Sequence, residues 1–197
     1  MPTHDRRIAG VLLAAGKGTR FDPSGASNKL LQPAASGKPL VVAAADALLD
    51  TLSEVVAVVR RHDDEVAAAL AARGCRLAVC AQAERGMGAS LACGLRQAAD
   101  AAGWIIALGD MPYVRAATVA ALADALHAGA GIAAPVHDGR RGNPVGFGRR
   151  HLPALLQSDG DQGARGLLRS ADADVVMVPV EDAGIHRDVD TPADLED

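Results

Sequence analysis

Short apolar segments alternate with longer segments of helical periodicity along the chain. The apolar segments are rich in β-branched residues and end in polar or glycine-rich turns, which is typical of buried parallel strands. The predicted strands are Arg7–Ala14, Glu54–Val59, Arg76–Cys80, Trp104–Leu108, Ile132–Val136, Pro144–Phe147 and Val175–Val180. The predicted helices are Pro39–Leu52, Asp63–Arg73, Ser90–Ala102 with Ser90 as its cap, Thr118–His127, Gln162–Ser170 and a last helix that starts at Thr191 and Pro192.

This alternation predicts an α/β fold with a mostly parallel sheet and helices on both faces, a Rossmann-like three-layer sandwich. A length of 197 residues predicts one domain, residues 1–197. Sheets of this type bind ligands beyond the carboxyl ends of their strands. We therefore expect the functional loops to follow the strands.

Composition and charge exclude several functional classes. The net charge of −4 gives no basic field for nucleic acid, and no apolar run of about 18 residues predicts a membrane span. The three cysteines form no C-x-x-C motif, which favours reduced, buried thiols and a cytoplasmic protein. Only three of the 20 basic residues are lysines, namely Lys17, Lys29 and Lys38, which marks those positions for attention.

The first candidate motif is the segment LLAAGKGTRF, residues 12–21, directly after the first predicted strand. Its glycines permit a tight turn whose amide groups can bind an anion, and Lys17 and Arg20 add positive charge. Phe21 stands where a dinucleotide fingerprint has its third glycine, and the Walker phosphate loop is absent. An ordinary turn and a phosphate site both remain open on this pattern.

Two carboxylate motifs lie further along the chain. Asp110 in LGDMP follows the WIIAL strand, where it would either hold a hard cation or cap the next helix. In DVDTPADL, Asp188 and Asp190 would point the same way in an extended segment, which favours a cation between them. Alternatively, Asp190 is a plain acid at a helix start. The six histidines have no zinc-ligand spacing.

Three glycine-containing segments complete the set of motifs. GMGASL, residues 86–91, would present amide groups to an anion or to the edge of a ligand. GRRGNPVGF, residues 139–147, places Arg140, Arg141 and Asn143 in a turn. Both segments are equally compatible with turn chemistry alone, and DQGAR, residues 161–165, is a helix start.

Taken in order, these segments resemble the molybdenum cofactor nucleotidyltransferases from residue 8 to residue 195, and most closely the cytidylyltransferases among them. The guanylyltransferases usually carry Gly-Gly where this chain has Ala14-Ala15. The resemblance implies a fold like that of the nucleotide-diphospho-sugar transferases. One departure is the insertion FDPSGASN between Arg20 and Lys29, which would form a longer lid over the triphosphate.

The resemblance implies transfer of CMP from CTP to the phosphate of molybdopterin, with release of pyrophosphate and with Mg²⁺ as cofactor. The catalytic residues would be Arg20, Lys29 and Asp110, and the Mg²⁺ ligands Asp110 and Asp190. The nucleotide would contact Ala14, Ala15, Gly16, Lys17, Gly18, Arg20, Lys29, Gly86, Met87, Gly88 and Ser90. The acceptor would contact Arg141, Asn143 and Pro144. Partners would be these small molecules and a client molybdoenzyme or its maturation chaperone.

Two other functions remain open. The first is the same chemistry with another base or acceptor, as in a guanylyltransferase or another transferase acting on a phosphorylated small molecule. The second is a scaffold without catalysis that binds nucleotide or cofactor during molybdoenzyme maturation. Because a scaffold need not keep Asp110, Asp190 and Lys29, the sequence favours an enzyme.

Overall fold

A computed structural model describes residues 6–18, 20–24, 27–62, 64–157, 164–170 and 174–195. Strands and helices alternate over most of this part of the chain. The strands are β1 (Ile8–Leu13), β2 (Val55–Val59), β3 (Arg76–Val79), β4 (Gly103–Leu108), β5 (Ile132–His137), β6 (Arg140–Arg141), β7 (Val145–Gly148) and β8 (Val175–Pro179). The helices are α1 (Leu40–Leu49), α2 (Glu65–Ala72), α3 (Met87–Gln97), α4 (Ala116–His127), α5 (Leu152–Leu156) and α6 (Arg165–Ser170).

One sheet contains all of these strands, in the order β3-β2-β1-β4-β7-β5, with β6 and β8 each paired to β5. Strands β1 to β4 pair in parallel, and β8 is parallel to β5. Strand β7 runs antiparallel to both of its neighbours. The prediction of a mostly parallel sheet is therefore confirmed.

Helices cover both faces of the sheet. The side chains of β1 alternate between the two faces, so they contribute to one apolar cluster on each face. Ile8 and Leu12 pack with residues of α1, α2 and α4 on one face. Ala9 and Val11 pack with residues of α3 and α5 on the other. Helix α3 lies so close to the sheet that a Cβ added at Gly94 would stand 2.7 Å from Val11 Cγ1. The three layers predicted from the sequence are present.

The predicted start of the third helix was wrong. Helix α3 begins at Met87, and Gly86 precedes it with φ of 112°, in the region that favours glycine. Ser90 lies inside the helix and is buried, so it is not the cap. The helix therefore begins directly after Gly86, earlier than the predicted cap at Ser90 indicated.

The predicted end of the same helix, Ala102, was also wrong, since α3 ends at Gln97. The indole nitrogen of Trp104 donates to the carbonyl of Ala98 at 2.9 Å. The guanidinium of Arg149 donates to the carbonyls of Ala99 and Ala101 at 2.7 and 2.8 Å. Distant side chains thus satisfy carbonyl groups that further helical turns would have used.

The other elements differ from prediction mainly at their ends. Helices α1 and α2 are shorter than predicted, and the last predicted helix is the 3-10 helix Pro192–Leu195. Helix α5 and strand β6 were not predicted. Of the helix predicted over 162–170, residues 162 and 163 lie outside the described residues. Within the described residues, no helix is long and apolar enough to cross a membrane.

Candidate active site at the carboxyl ends of β1 and β4

The candidate site lies where the order of the strands reverses direction, between β1 and β4. Leu13 and Leu108, the last residues of these strands, stand side by side in the sheet. The amide of Gly109 donates to the carbonyl of Leu13 at 2.9 Å, so the loops that leave the two strands stay together. Such a reversal point is where open α/β sheets bind ligands, and both loops carry predicted site residues.

Three predicted residues from distant parts of the chain converge here. The ammonium of Lys29 lies 2.7 Å from Asp110 Oδ2 and 3.3 Å from Asp190 Oδ1. Lys29 is 8% exposed, so this charge is largely withdrawn from water. The guanidinium of Arg20 pairs with the other oxygen of Asp190. The four residues predicted to be catalytic or metal-binding therefore form one connected cluster of charges.

The first loop carries Lys29 into this cluster. Gly18 has φ of +63°, and its carbonyl accepts hydrogen bonds from the amides of Phe21 and Asp22. A Cβ at Gly18 would stand 3.1 Å from the Cβ of Lys29, so the glycine lets the two segments approach. The side chain of Asn28 caps the short 3-10 helix Lys29–Leu31 by accepting from the amide of Leu30.

The insertion between Arg20 and Lys29 folds around its own aspartate. Asp22 accepts hydrogen bonds from the amides of Ser24 and Ser27, at 2.8 and 2.7 Å. Ser27 in turn accepts from the side chain of Gln32 at 2.9 Å. Residues 25 and 26 lie outside the described residues. The insertion leaves Lys29 beside Asp110.

Asp110 and Asp190 have the chemistry of a site for a hard divalent cation. Both supply carboxylate oxygens, and they already share one positive charge, the Lys29 ammonium. The described residues contain no group of three or more His, Cys, Asp or Glu that could hold a metal ion. Two carboxylates suffice for Mg²⁺ or Mn²⁺ when phosphate oxygens and water complete the coordination. Asp188, the other acid of the DVD segment, is exposed.

Lys17 stands at the rim of a polar pocket on one side of the first loop. Its ammonium lies 3.2 Å from Glu84 Oε1, which Arg60 also reaches at 3.1 Å. The hydrogen bond from Lys17 is the main cause that lowers the pKa of Glu84. The pocket encloses about 510 Å³ and is lined by Ala14, Gly16, Lys17, Asn28, Leu30, Arg60, Arg61, Asp64 and Val66.

An apolar pocket, whose volume of about 450 Å³ includes open solvent, lies beside the ends of β1 and β4. It joins Met87, a predicted nucleotide contact, to Asn143, a predicted acceptor contact. Its remaining walls are aliphatic and aromatic: Leu13, Leu91, Ile106, Leu108, Val145, Phe147, Ala164 and Leu168. Apolar walls with a single polar side chain are typical of small-molecule pockets.

The other predicted contacts are spread around these pockets. Arg141 is exposed on β6. Pro144 lines a separate cavity of about 250 Å³ on the opposite face of the sheet. Gly88 and Ser90 are buried in the first turns of α3. Among the predicted acceptor residues, only Asn143 lines the apolar pocket within the described structure.

Two contributors were missed by the sequence analysis. Glu84 links the loops after β1 and β2 through its ion pairs with Lys17 and Arg60. The QAE segment around Glu84 contains no motif that predicts this role. Asp194 accepts from the amides of Asp190 and Thr191, at 3.0 and 2.6 Å, and so fixes the turn that follows Asp190. The backbone hydrogen bond from Thr191 is the main cause that lowers the pKa of Asp194. The three-residue spacing of Thr191 and Asp194 matches a helix-capping motif and could have predicted this turn.

Lys38, the third lysine, lies outside the site. Its ammonium is 2.6 Å from Asp46 Oδ2, and the guanidinium of Arg73 is 2.6 Å from Asp46 Oδ1. Burial raises the pKa of Asp46, but the hydrogen bonds from Lys38 and Arg73 outweigh it, so the net pKa is lowered. Asp46, on α1, thus links Lys38 in the segment before α1 to Arg73 at the end of α2.

The fold and this cluster of charges at the carboxyl edge of the sheet define a nucleotidyltransferase. The chain belongs to the family of the MobA-like NTP transferase domain, whose family model matches residues 10–175.

Curated relatives support the same family. The bifunctional protein GlmU of Kineococcus radiotolerans is 35% identical over 176 residues, which cover 87% of this chain and 34% of GlmU. The chain therefore spans about a third of the length of that relative. The purine catabolism protein PucB of Bacillus subtilis is 31% identical over 199 residues, which cover 96% of this chain and 94% of PucB.

Solved structures show the same fold. Rv0371c of Mycobacterium tuberculosis H37Rv superposes with a TM-score of 0.82 at 28% identity, covering 96% of both chains. A complex of Rv0371c with manganese gives a TM-score of 0.78 and covers 96% of this chain and 98% of that one. Molybdopterin-guanine dinucleotide biosynthesis protein A of Archaeoglobus fulgidus shares the fold at 22% identity, with a TM-score of 0.64, covering 96% of this chain and 95% of that one.

Proposed function

We propose that this protein transfers CMP from CTP to the phosphate of molybdopterin and releases pyrophosphate. The observation that carries the proposal is the convergence of Lys29, Asp110 and Asp190 beside the glycine-rich first loop. Family membership supports nucleotidyl transfer in general. The choice of CTP rests on Ala14 and Ala15, and the choice of molybdopterin rests on the apolar pocket.

The reaction joins two polyanions, so charge neutralisation is the main requirement. An oxygen of the acceptor phosphate attacks the α-phosphorus of CTP, the bond from that phosphorus to the bridging oxygen breaks, and pyrophosphate leaves with the electron pair. The second pKa of a phosphate monoester is about 6, so the attacking oxygen is already ionised near neutral pH. The reaction therefore needs no general base.

In this proposal Asp110 and Asp190 hold a divalent cation, Mg²⁺ or Mn²⁺. The cation would neutralise charge on the triphosphate oxygens. With a cation on the two carboxylates, the ammonium of Lys29 is free to pair with the triphosphate. Arg20 and Lys17 add positive charge from the same loop. The manganese complex of Rv0371c supports the use of a divalent cation in this family.

The choice of CTP over GTP rests on Ala14 and Ala15, which stand where the guanylyltransferases usually carry Gly-Gly. Ala14 and Ala15 are buried, at 5% and 8% exposure, and their Cβ atoms occupy space that a Gly-Gly pair would leave open. Less room beside the loop favours a pyrimidine over a purine. The amide groups at Gly86 and Met87 would close on the base from the start of α3.

The apolar pocket supports an acceptor with a flat heterocycle. Its walls offer apolar contact to a ring system, and Asn143 offers one amide for hydrogen bonds. The main chain of Asn143 is held in place, since its amide donates to the carbonyl of Ile185 at 2.9 Å. We propose that molybdopterin enters here, with Arg141 and Pro144 on the loop that borders it. A client molybdoenzyme or its maturation chaperone would receive the product.

The test measures pyrophosphate release by the purified protein with Mg²⁺, molybdopterin and each of the four nucleoside triphosphates in turn. CTP should give the fastest release, and omission of molybdopterin should abolish it. Faster release with GTP would make the protein a guanylyltransferase. Release with a sugar phosphate but not with molybdopterin would replace the acceptor. CTP binding without pyrophosphate release under any condition would indicate a scaffold.

A further inference from the structure

Asp182 is a buried carboxylate that none of the steps above uses. It is 2% exposed. Its Oδ2 accepts from the amide of Arg115 at 2.9 Å and from the hydroxyl of Thr118 at 2.6 Å. Its Oδ1 accepts from the amide of Gly184 at 3.0 Å. Because an unpartnered buried carboxylate is strongly disfavoured, these three donors fix where it sits.

The three donors belong to the two segments that carry the proposed cation ligands. Arg115 and Thr118 lie at the start of α4, which follows the loop of Asp110. Gly184 lies in the 3-10 helix Ala183–His186, which leads to Asp190. The Asp182 side chain therefore links both segments.

The 3-10 helix Ala183–His186 also touches the loop of the predicted acceptor residues. The carbonyl of Ile185 accepts from the amide of Asn143, and a Cβ at Gly142 would overlap that carbonyl. A Cβ at Gly184 would overlap the carbonyl of Tyr113. Contact this close leaves the turn no freedom to shift unless its neighbours shift as well.

We propose that Asp182 is a positioning residue that, together with the main-chain hydrogen bond from Val189 to Asp110, sets the separation of the Asp110 and Asp190 carboxylates. It does so by clamping the turn Ala183–His186 to the start of α4. The inference rests on the proposed role of these two carboxylates in holding a divalent cation. Small hard cations tolerate little deviation in ligand geometry, so loosening the clamp should weaken cation binding.

The competing explanation is that Asp182 only caps α4 and stabilises the fold. Asp46 is a matched control for this explanation. It is also a buried carboxylate, 8% exposed, and it joins distant segments through Lys38 and Arg73. If Asp182 only stabilises the fold, replacing Asp182 and replacing Asp46 should have the same effect on cation affinity. If Asp182 positions the cation ligands, only its replacement should lower that affinity.

The experiment measures Mn²⁺ affinity by calorimetry and the melting temperature of the full chain and its variants. Direct hydrogen-bond partners of metal ligands change affinity about 10- to 100-fold when removed. Asp182 acts one step further out, through the main chain, so Asp182→Ala should weaken Mn²⁺ binding by up to about 10-fold. Asp182→Asn keeps one oxygen acceptor and should lose less. Asp46→Ala and Asp46→Asn, the matched controls, should melt at a lower temperature and bind Mn²⁺ like the wild type.

Two results would overturn the proposal: unchanged Mn²⁺ affinity in Asp182→Ala, or an equal loss of affinity in Asp46→Ala at an equal drop in melting temperature. If Asp182→Ala does not fold, Asp182→Asn is compared with Asp46→Asn in the same way. Asp110→Ala separates this inference from the proposed function. If Asp110→Ala binds Mn²⁺ normally, the cation site itself is wrong and the role of Asp182 is overturned with it. If Asp110→Ala loses Mn²⁺ while Asp182→Ala does not, only the role of Asp182 is overturned.

Discussion

The amide of Val189 donates to the carbonyl of Asp110 at 2.9 Å. This hydrogen bond joins the main chains of two segments that are far apart in sequence, next to the side chains that face Lys29. Val189 is fully buried, so the contact is shielded from water. The carboxylates of Asp110 and Asp190 therefore extend from a common main-chain junction. Substitution of either side chain should leave this main-chain hydrogen bond in place.

Replacement of Asp110 by alanine should reduce the turnover of CTP at least about 100-fold, the usual effect of removing one group that stabilises transition-state charge. The fold should survive, because the Asp110 side chain is 25% exposed and the Val189 hydrogen bond involves only main-chain atoms. Pyrophosphate release and circular dichroism measure the two effects. Asp124→Ala, an exposed change on α4, is the control, and near-normal turnover in Asp110→Ala would refute the metal assignment.

Replacement of Lys29 by alanine should weaken CTP binding by about 10- to 100-fold, since hydrogen bonds to charged groups contribute about 1.5–3 kcal/mol. The loss should appear in the dissociation constant measured by calorimetry. Lys38→Ala removes a lysine that is 54% exposed and pairs with Asp46 away from the site, so its CTP affinity should match the wild type. Equal affinity in Lys29→Ala and wild type would show that the triphosphate binds elsewhere.

Gly18→Ala should combine backbone strain with displacement of Lys29. The strain of a left-handed alanine is about 1–2 kcal/mol, and the new methyl group would press on the Lys29 side chain at 3.1 Å. Gly37→Ala carries the same kind of strain at φ of +76°, with no atom within 4 Å of the new methyl group. Both variants should lose stability in urea denaturation, but only Gly18→Ala should also lose CTP affinity. A matching loss in Gly37→Ala would attribute the effect to strain alone.

Asp46 should make the free energy of unfolding depend on pH in the acid range. Its folded-state pKa is lowered, so its stabilisation is complete above the unfolded pKa of about 3.9 and is lost as pH falls through the folded value. Asp46→Asn should therefore be less stable than the wild type at pH 7, by about 1.5–3 kcal/mol. Urea denaturation at pH 7 and pH 3 should show this difference shrinking at the lower pH. A difference that stays constant would contradict the ion-pair explanation.

Several features of the site were predictable because they depend on local pattern. Asp110 follows a strongly apolar strand, and in a parallel sheet that position lies at the ligand edge. The glycines of the first loop likewise follow a buried strand. The meeting of Lys29 with Asp110 and Asp190 was not contained in spacing, because 81 and 161 residues separate these pairs. It was expected only from the family resemblance, and the structure places the three together.

The missed features have more than one cause. Ser90 has the chemistry of a helix cap, but the backbone at Gly86 starts the helix earlier. Asp182 and Asp46 have partners that stand up to 67 residues away, so neither shows a local pattern. The rarity of lysine drew attention to Lys38, although its role proved to be structural.

Strand β7 is antiparallel to both of its neighbours. It divides the sheet into two parts that differ in how well their connections tolerate insertions. The nucleotide loops join parallel strands through helices, so altering their length would shift a whole crossover unit. Residues 138–141, by contrast, are exposed and form the tip of the antiparallel hairpin of β5 and β6, which accepts added residues without moving its supports. Residues 142–144 are held against the turn Ala183–His186 and lack this freedom. In the proposed function, a different acceptor would therefore be accommodated by lengthening or reshaping this tip.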